Sequence, residues 1–292
     1  MSVVKHAFLI AAHHQFEILM KTLRILDDKD VDFYIHIDKK CKVFPKDELI
    51  RCCGESNIEF VEPIFVNWGG YSQIECTLRL LNAAVPKKYD YYHYISGVDM
   101  PIKPKEEILD YFESNGEQQY INFGGKRAEE QYIDRLRYHS FFQDSGHQHL
   151  YMADKLIRFI ERKLGVDRTK KSPSTVFQYG SNWFSITHDF AEYVVKKNDW
   201  IKKVFSNTRC GDELFIQTLV INSPYRDQLP NNAFDGSYTS CLRYIDFSRG
   251  NPYVFTMDDY DDLTGSLYLF ARKFDLSKDA EIVDAIFKYC TE

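Results

Sequence analysis

Two adjacent carboxylates, Asp212 and Glu213, open a mostly apolar stretch that is predicted to be helical as far as Ile221. Gly211 can serve as the N-cap, and acidic side chains in a first turn complement the positive end of a helix. Helix capping alone therefore explains the pair. A carboxylate fixed at a helix start can also act as a general base, and Glu213 is the best candidate for that role in a transfer reaction.

A third carboxylate, Asp99, follows an aromatic strand-like run and is itself followed by Met100 and Pro101. A transferase that binds a divalent metal against a diphosphate typically carries Asp-x-Asp at such a strand end. The single Asp99 therefore predicts no metal site. The segment Asp259-Tyr260-Asp261 has the required spacing, but it lies in an acidic patch near the C-terminus, where such matches are frequent by chance.

Without a metal, cationic side chains must neutralise the charge on a departing diphosphate. The segments Leu242-Arg243-Tyr244-Ile245-Asp246 and Phe270-Ala271-Arg272-Lys273-Phe274-Asp275 each put a cation in a strand-like apolar context. One cation at about 4 Å contributes about 4 kcal/mol when the effective dielectric constant is about 20. Solvated charges at a strand edge are the simpler explanation of the cations in both segments on composition alone.

Two further segments have the residue types of a ligand site. Asp38 ends a strand-like run, where a carboxylate can accept hydrogen bonds from a ribose or a base, or can form a turn. The glycines after Trp68 permit close approach of the backbone to a ligand, although a tight turn explains them equally well. Neither a GxGxxG nor a GxxxxGK[ST] motif occurs, so a dinucleotide-binding Rossmann domain and a P-loop are not supported.

Short apolar runs alternate with helical periodicity over residues 1–125, as in βαβ units. The predicted strands are His6 to His13, Asp32 to Asp38, Ile58 to Glu62, Tyr91 to Gly97 and Gln119 to Phe123. The predicted helices are Phe16 to Leu26, Ser72 to Val85 and Lys105 to Glu113. This order predicts a mostly parallel α/β sheet flanked by helices. Ligands of such sheets bind beyond the carboxyl ends of the strands, where His13, His14, Asp38, Lys39 and Asp99 would lie.

Residues 126–174 are charged and aromatic and predict helix, with a Lys-rich surface loop at 169–174. The remaining predicted strands are Trp183 to Thr187, Cys241 to Phe247 and Leu267 to Phe274. The remaining predicted helices are Asp189 to Lys197, Asp212 to Ile221 and Lys278 to Tyr289. We predict one domain over residues 1–292, with a nucleotide-sugar-binding half (1–125) and an acceptor and catalytic half (126–292).

The composition is that of a globular protein, with 292 residues of which 44% are hydrophobic. A net charge of −6 argues against nucleic acid as the main partner. The seven cysteines have no regular spacing and predict free thiols in a reducing compartment. No apolar run approaches the roughly 20 residues that span a bilayer. We therefore expect a cytoplasmic protein, with peripheral contact to the inner face of the cell membrane still open.

Eight segments, in order along nearly the whole chain, resemble the core-2/I-branching β-1,6-N-acetylglucosaminyltransferases and the related peptide xylosyltransferases. The segments are Ala11-Ala12-His13-His14, Ile35-His36-Ile37-Asp38-Lys39-Lys40, Trp68-Gly69-Gly70-Tyr71-Ser72, Ser96-Gly97-Val98-Asp99-Met100-Pro101-Ile102-Lys103, Gly180-Ser181-Asn182-Trp183-Phe184, Asp212-Glu213, Arg243 and Ala271-Arg272-Lys273-Phe274. No single segment is decisive, but eight in order are. The resemblance implies a GT-A fold and an inverting, metal-independent transfer from a UDP-sugar donor.

The resemblance also implies residue roles. Glu213 matches the catalytic base of the family, and Arg243 and Lys273 match the pair that contacts the donor diphosphate. The positions that match nucleotide binding are Ala12, His13, His14, Asp38 and Lys39, to which we add Trp68. The residues expected near the acceptor or the donor sugar are Asp99, Trp183 and Asp212.

These roles predict transfer of a sugar, most simply N-acetylglucosamine, from a UDP-sugar to a hydroxyl of a glycan or lipid-linked glycan, in surface polysaccharide synthesis. We expect no metal or other cofactor and a compact, bacterial-type member of the family. Two alternatives stay open. One is a metal-dependent GT-A transferase or sugar nucleotidyltransferase that uses Asp99; the other is a glycan-binding protein without catalysis.

Overall fold

The computed structural model describes residues 4–125 and 129–292. The strands in these residues are β1 (His6–Ala12), β2 (Val31–Ile37), β3 (Ile58–Phe60), β4 (Tyr91–Ser96), β5 (Met100–Pro101), β6 (Tyr120–Ile121), β7 (Phe184–Thr187), β8 (Arg243–Ile245) and β9 (Phe270–Arg272). The α-helices in them are α1 (Phe16–Leu26), α2 (Lys46–Ile50), α3 (Tyr71–Ala84), α4 (Lys105–Ser114), α5 (Glu129–Arg137), α6 (Gln148–Lys163), α7 (His188–Lys196), α8 (Asn198–Phe205), α9 (Phe215–Ile221), α10 (Tyr260–Thr264) and α11 (Ala280–Thr291).

The main sheet has six strands in the order β3-β2-β1-β4-β7-β6. The first four strands in this order are parallel to one another, whereas β7 is antiparallel to both β4 and β6. The carboxyl ends of β1, β2 and β4 therefore meet at one edge, as the sequence predicts. β7 comes from the second half of the chain, so both halves contribute strands to this sheet.

The central strand β1 explains why the sheet is covered on both faces. Its residues Ala7, Phe8, Leu9 and Ile10 are fully buried, and alternate side chains point to opposite faces. One face packs with residues of α3, α7, α8 and α9, and the other with residues of α1, α2 and α4. Near-continuous apolar strands are typical of a parallel sheet between two helical layers.

A second sheet has the order β5-β9-β8 and packs in a separate apolar cluster with residues of α1 and α11. β5 follows β4 closely and pairs antiparallel with β9, so that Met100 lies opposite Ala271. This register brings Asp99, just before β5, beside Arg272, the last residue of β9. The C-terminal part of the chain is thereby placed at the carboxyl edge of the main sheet.

Most of the predicted elements are observed, including α1 with its predicted limits. The predicted helix from Asp212 to Ile221 is wrong in one respect: a 3-10 turn at Gly211–Glu213 precedes α9. The backbone carbonyl of Glu213 accepts the N–H of Gly180 at 2.9 Å. This tertiary hydrogen bond takes an acceptor that a continuous α-helix would use for its own ladder.

Gly180 lies where a side chain has no room. A Cβ built there would overlap the backbone carbonyl of Asn122, which cannot move as a flexible side chain would. We predict that Gly180→Ala lowers the free energy of unfolding by about 1–3 kcal/mol. Urea unfolding followed by circular dichroism measures this change.

Gly125→Ala is the matched control, because a Cβ at Gly125 meets no heavy atom of the described residues within 4 Å. We expect its unfolding midpoint to equal that of the wild type. Equal midpoints for the two variants would contradict the assigned packing at Gly180.

Candidate active site

A pocket of about 230 Å³ opens between the carboxyl edge of the main sheet and the second sheet. Its lining includes His13, His14, Gly97, Arg272 and Lys273. A Cβ on Gly97 would lie 2.7 Å from the Cβ of Ala12, so the pocket floor depends on two small residues in contact. The structure therefore brings together three of the predicted ligand-binding residues, His13, His14 and Lys273, while the predicted Ala12 contacts the lining residue Gly97.

The rings of His13 and His14 stack with their centroids 4.1 Å apart. Burial lowers the pKa of His13, and the neighbouring His14 lowers it further. Burial also lowers the pKa of His14, where Lys273 and Arg272 act in the same direction against the opposing charge of Asp275. Both imidazoles are therefore neutral near pH 7 and can each donate and accept a hydrogen bond.

Asp38 forms the turn that follows β2. Its carboxylate accepts the backbone N–H of Lys40 at 2.9 Å, and its own N–H donates to the carbonyl of Ala12 at 2.9 Å. The side chain of Lys39 is exposed and its ammonium lies 5.5 Å from the ring centroid of Phe65. Neither residue lines the pocket, although the charge of Asp38 is close enough to raise the pKa of His13 against the effect of burial.

Asp99 is buried and forms an ion pair with Arg272 at 2.7 Å. The same carboxylate accepts the backbone N–H of Ser96 at 2.7 Å and its hydroxyl at 2.8 Å. Only Nη1 of the Arg272 guanidinium is hydrogen-bonded within residues 4–125 and 129–292. At this strand end, where a metal-dependent transferase typically carries Asp-x-Asp, the carboxylate is thus paired with a guanidinium.

Residues 4–125 and 129–292 contain no group of three or more His, Cys, Asp or Glu side chains placed to hold a metal ion. Asp259, of the second candidate motif, accepts the backbone N–H of Thr256 at 2.9 Å and a hydrogen bond from Arg249 at 2.6 Å. It therefore caps the turn that leads into α10.

Arg243 does not reach the pocket. It is 2% exposed and donates to Ser185, Cys241, Tyr94 and Phe184, while its guanidinium carbon lies 5.0 Å from the ring centroid of Phe270. Its guanidinium ties β8 to β4 and β7. The predicted diphosphate contact is not supported by this geometry, because the charged group is enclosed by protein carbonyls.

Arg272, which sequence reasoning did not select, lies in the pocket beside Lys273. A sequence signal was present, since two consecutive cations interrupt an otherwise apolar strand. Within the described residues, Lys273 forms no ion pair with a carboxylate. The pocket therefore presents two adjacent cations, of which one also neutralises Asp99.

Glu213 is one-third exposed and accepts a hydrogen bond from Arg135 of α5 at 2.7 Å. The guanidinium of Arg135 lies 4.4 Å from the ring centroid of Tyr132, which stacks on Tyr179 at 3.3 Å. Burial raises the pKa of Tyr179, and the charge of Glu213 raises it further. The carboxylate is thus held in one orientation at the edge of an aromatic wall, where part of it faces solvent.

Asp212 is buried, and its hydrogen-bond partners differ from those of Glu213. Its Oδ2 accepts hydrogen bonds from Gln73 at 3.1 Å and from Asn182 at 3.3 Å, while the buried Oδ1 has no partner among the described residues. Burial raises the pKa of Asp212, and the charge of Glu213 raises it further. The two adjacent carboxylates therefore have different surroundings. Asp212 is buried whereas Glu213 is partly exposed to solvent, and this difference favours Glu213 as the base.

Trp68 is not brought to the pocket. Its side chain is 71% exposed, with the guanidinium carbon of Arg209 5.5 Å from the ring centroid. The carbonyl of the next residue, Gly69, accepts the N–H of Cys210 at 2.8 Å. This loop supports the segment that carries Asp212 and Glu213, so the tight-turn explanation of its glycines fits the structure better than a nucleotide contact.

Trp183 links the two parts of the site. Its ring stacks on Tyr94 at 5.4 Å and lies 4.5 Å below the guanidinium of Arg272. The preceding residue, Asn182, donates to Asp212 at 3.3 Å. One short segment therefore contacts both the cationic pocket and the carboxylate pair.

A family model for the Core-2/I-Branching enzyme matches residues 6–264. The chain belongs to this family. The match confirms the resemblance found in the sequence, and the mostly parallel sheet between helices agrees with the GT-A-type architecture that it implied. The match ends before Arg272 and Lys273, so their assignment to the pocket is based on the structure.

The curated relatives include xylosyltransferases from several animals. Xylosyltransferase 2 of Bos taurus is 24% identical over 310 residues, which cover 98% of this chain and 33% of that protein. A xylosyltransferase of Ciona intestinalis is 25% identical over 283 residues, covering 91% and 32% of the two chains. The chain thus spans about a third of the length of these relatives.

The similar solved structures superpose on this chain with low TM-scores. Mouse xyloside xylosyltransferase 1 in its apo form has a TM-score of 0.40 and 10% identity, covering 92% of this chain and 97% of that one. Core-mannan synthase A of Aspergillus fumigatus has a TM-score of 0.35 and 11% identity, covering 74% and 69%.

The buried Asp212 predicts a distinct dependence of stability on pH. Because its pKa is raised above 3.8 in the folded state, the native protein binds this proton more tightly than the unfolded chain. Stability is therefore lost as the pH rises from about 4 towards neutrality, by up to about 1.4 kcal/mol per pH unit. Asp212→Asn removes this loss. The unfolding free energy of the variant, relative to that of the wild type, should therefore rise over the same pH interval.

Urea unfolding of both proteins at about pH 4.5 and about pH 7 measures the difference. Asp110→Asn makes the same chemical change at an exposed position of α4, and it should follow the wild type at both pH values. A constant difference between Asp212→Asn and the wild type would contradict the assignment.

Proposed function

We propose that the protein is an inverting glycosyltransferase that moves a sugar from a UDP-sugar to a hydroxyl of a glycan acceptor, without a metal. The observation that carries this proposal is the pocket in which Arg272 neutralises Asp99 and lies beside Lys273. Two fixed cations at the carboxyl edge of a parallel sheet suit a diphosphate. Family membership supports the reaction class.

In this proposal, residues at this edge bind the donor. Lys273 and the nitrogen atoms of Arg272 that form no hydrogen bond within the described residues face the diphosphate. The neutral His13 and His14 offer donors and acceptors to the nucleoside. Asp38 shapes the adjoining turn and contributes negative charge near His13. Arg243 supports this edge from inside, because it joins β8 to the main sheet.

In the chemical step, Glu213 accepts the proton of the acceptor hydroxyl while the oxygen of that hydroxyl attacks the anomeric carbon. The new C–O bond forms as the bond from the anomeric carbon to the diphosphate oxygen breaks. The departing UDP takes up negative charge, which Arg272 and Lys273 stabilise electrostatically. A single displacement of this kind converts an α-linked donor into a β-linked product.

Arg135 and the Tyr132–Tyr179 stack are assigned to positioning. Arg135 holds one oxygen of Glu213 at 2.7 Å, which leaves the second oxygen for the acceptor hydroxyl. Trp183 then lies between the donor and acceptor sides.

The donor sugar is proposed to be N-acetylglucosamine, and the names of the relatives make xylose the competing candidate. A thermal-shift screen of UDP-sugars separates them, since a ligand at about 100 times its dissociation constant stabilises the protein by about 2.7 kcal/mol. We assign the acceptor to surface polysaccharide or a lipid-linked glycan at the cytoplasmic face of a membrane. Nucleic acid is not proposed as a partner.

Replacement of the base by an amide tests the assignment of Glu213. We predict that Glu213→Gln binds UDP like the wild type but loses transfer by about 10²- to 10⁴-fold, since the amide cannot accept the proton. UDP release during transfer measures the rate, and calorimetry measures UDP binding.

Glu192→Gln is the matched control, because Glu192 pairs with Lys196 on an exposed face of α7. We expect full transfer from this variant. Full transfer from Glu213→Gln as well would remove Glu213 from the mechanism.

Metal independence is tested separately. Since Arg272 already neutralises Asp99, we predict that the initial rate of transfer is unchanged by excess EDTA and by added Mn²⁺. A rate abolished by EDTA and restored by Mn²⁺ would instead favour the metal-dependent transferase. Glycan binding with no UDP binding at all would favour a protein without catalysis.

A further inference from the structure

Helix α6 presents its apolar side chains to solvent. Met152, Leu156, Phe159 and Ile160 are 63%, 60%, 58% and 46% exposed. Their spacing of four, seven and eight residues puts them on one face of the helix, and we call this set the α6 stripe. Leu164, just after the helix, extends the exposed apolar surface and is 74% exposed.

The acidic side chains of α6 point into the protein. Asp154 is fully buried and accepts hydrogen bonds from the backbone of Phe141 at 2.8 Å and of Phe142 at 3.1 Å. Glu161 accepts the backbone N–H of His139 at 2.8 Å and pairs with its imidazole. This orientation is the reverse of that expected for a helix at a water-exposed surface, where the polar face is outside.

The exposed charges of α6 are all positive. Lys155, Arg162 and Lys163 are exposed and Arg158 is half-buried, while both carboxylates of the helix are engaged inside. Arg162 also lies 3.2 Å from Asp134, but exposed pairs of this kind contribute little. In a chain with a net charge of −6, this helix therefore forms a local surface that is both apolar and basic.

We propose that the α6 stripe docks on an anionic lipid membrane. The apolar side chains would enter the interface between headgroups and acyl chains, and the flanking cations would contact anionic headgroups. A second copy of the chain fits less well, because a two-fold contact through this face would bring Lys155 and Lys163 close to cations of the other copy. The helix lies on the membrane surface in this arrangement. Within residues 4–125 and 129–292, no helix combines the length and apolar composition that a membrane crossing requires.

The location of α6 relates the docking to the approach of the acceptor, an argument that rests on the proposed function. Asp134 of α5 pairs with Arg162, and the next residue, Arg135, holds Glu213 at 2.7 Å. One helix therefore separates the docking face from the proposed base. An acceptor anchored in the membrane by a lipid would reach Glu213 from this side.

Vesicle flotation tests the docking directly. The wild type should bind vesicles that contain phosphatidylglycerol and should bind pure phosphatidylcholine about tenfold more weakly. The double variant Leu156→Gln/Phe159→Gln should bind the anionic vesicles at least about tenfold more weakly than the wild type. Both residues are exposed, so the variant should keep the unfolding midpoint of the wild type.

Val43→Gln/Leu267→Gln is the matched control, because these apolar residues are 86% and 87% exposed and lie outside α6. It should bind vesicles like the wild type. Equal vesicle binding by the α6 variant, or no binding by the wild type, would overturn the proposal. A wild-type dimer in lipid-free buffer that the α6 variant fails to form would also overturn it, in favour of self-association.

UDP binding, measured on the same proteins, separates this proposal from the proposed function. Vesicle binding that fails while UDP still binds rejects the docking alone. Vesicle binding that persists in a protein with no affinity for UDP rejects the proposed donor and leaves the docking intact.

Discussion

The ion pair between Asp99 and Arg272 joins the main sheet to the second sheet, and the arrangement of the candidate site depends on it. The register of β5 with β9 places the two side chains together, and Ser96 completes the bonding of the carboxylate. Removing one partner from a buried pair costs about 3–5 kcal/mol, because the other charge is left unpaired. The same guanidinium packs over Trp183, and within the described residues only its Nη1 is hydrogen-bonded. One residue thus serves the fold and the proposed binding of a diphosphate.

The second half of the site is held by contacts of a different kind. Glu213 is fixed by Arg135 on its side chain and by Gly180 on its backbone, while Asp212 is anchored by Gln73 and Asn182. Because Trp183 follows Asn182 and lies under Arg272, the cationic pocket and the carboxylate pair share one short segment. A displacement reaction requires such fixed geometry, since the acceptor oxygen and the leaving group must approach opposite sides of one carbon.

Much of the fold could be predicted from the sequence, because the apolar spacing of α1 and the continuous apolar run of β1 are local signals. Which of Arg243 and Arg272 lies in the pocket could not be predicted, because this depends on strand register and on which guanidinium is enclosed by carbonyls. The break before α9 arises from a hydrogen bond to Gly180, a residue distant in the sequence. The periodicity of α6 predicts an amphipathic helix but does not reveal which face points outward. The place of His13, His14 and Lys273 in the pocket could be predicted, because strand ends and family motifs identify these residues.

The central claim is that two fixed cations, Arg272 and Lys273, bind the donor diphosphate without a metal. A crystal structure of the protein grown with UDP and Mn²⁺ tests this claim most directly. The account predicts diphosphate oxygens within hydrogen-bonding distance of Arg272 and Lys273, with the Asp99–Arg272 pair intact. A manganese ion bridging Asp99 and the diphosphate, with Arg272 displaced, would contradict it.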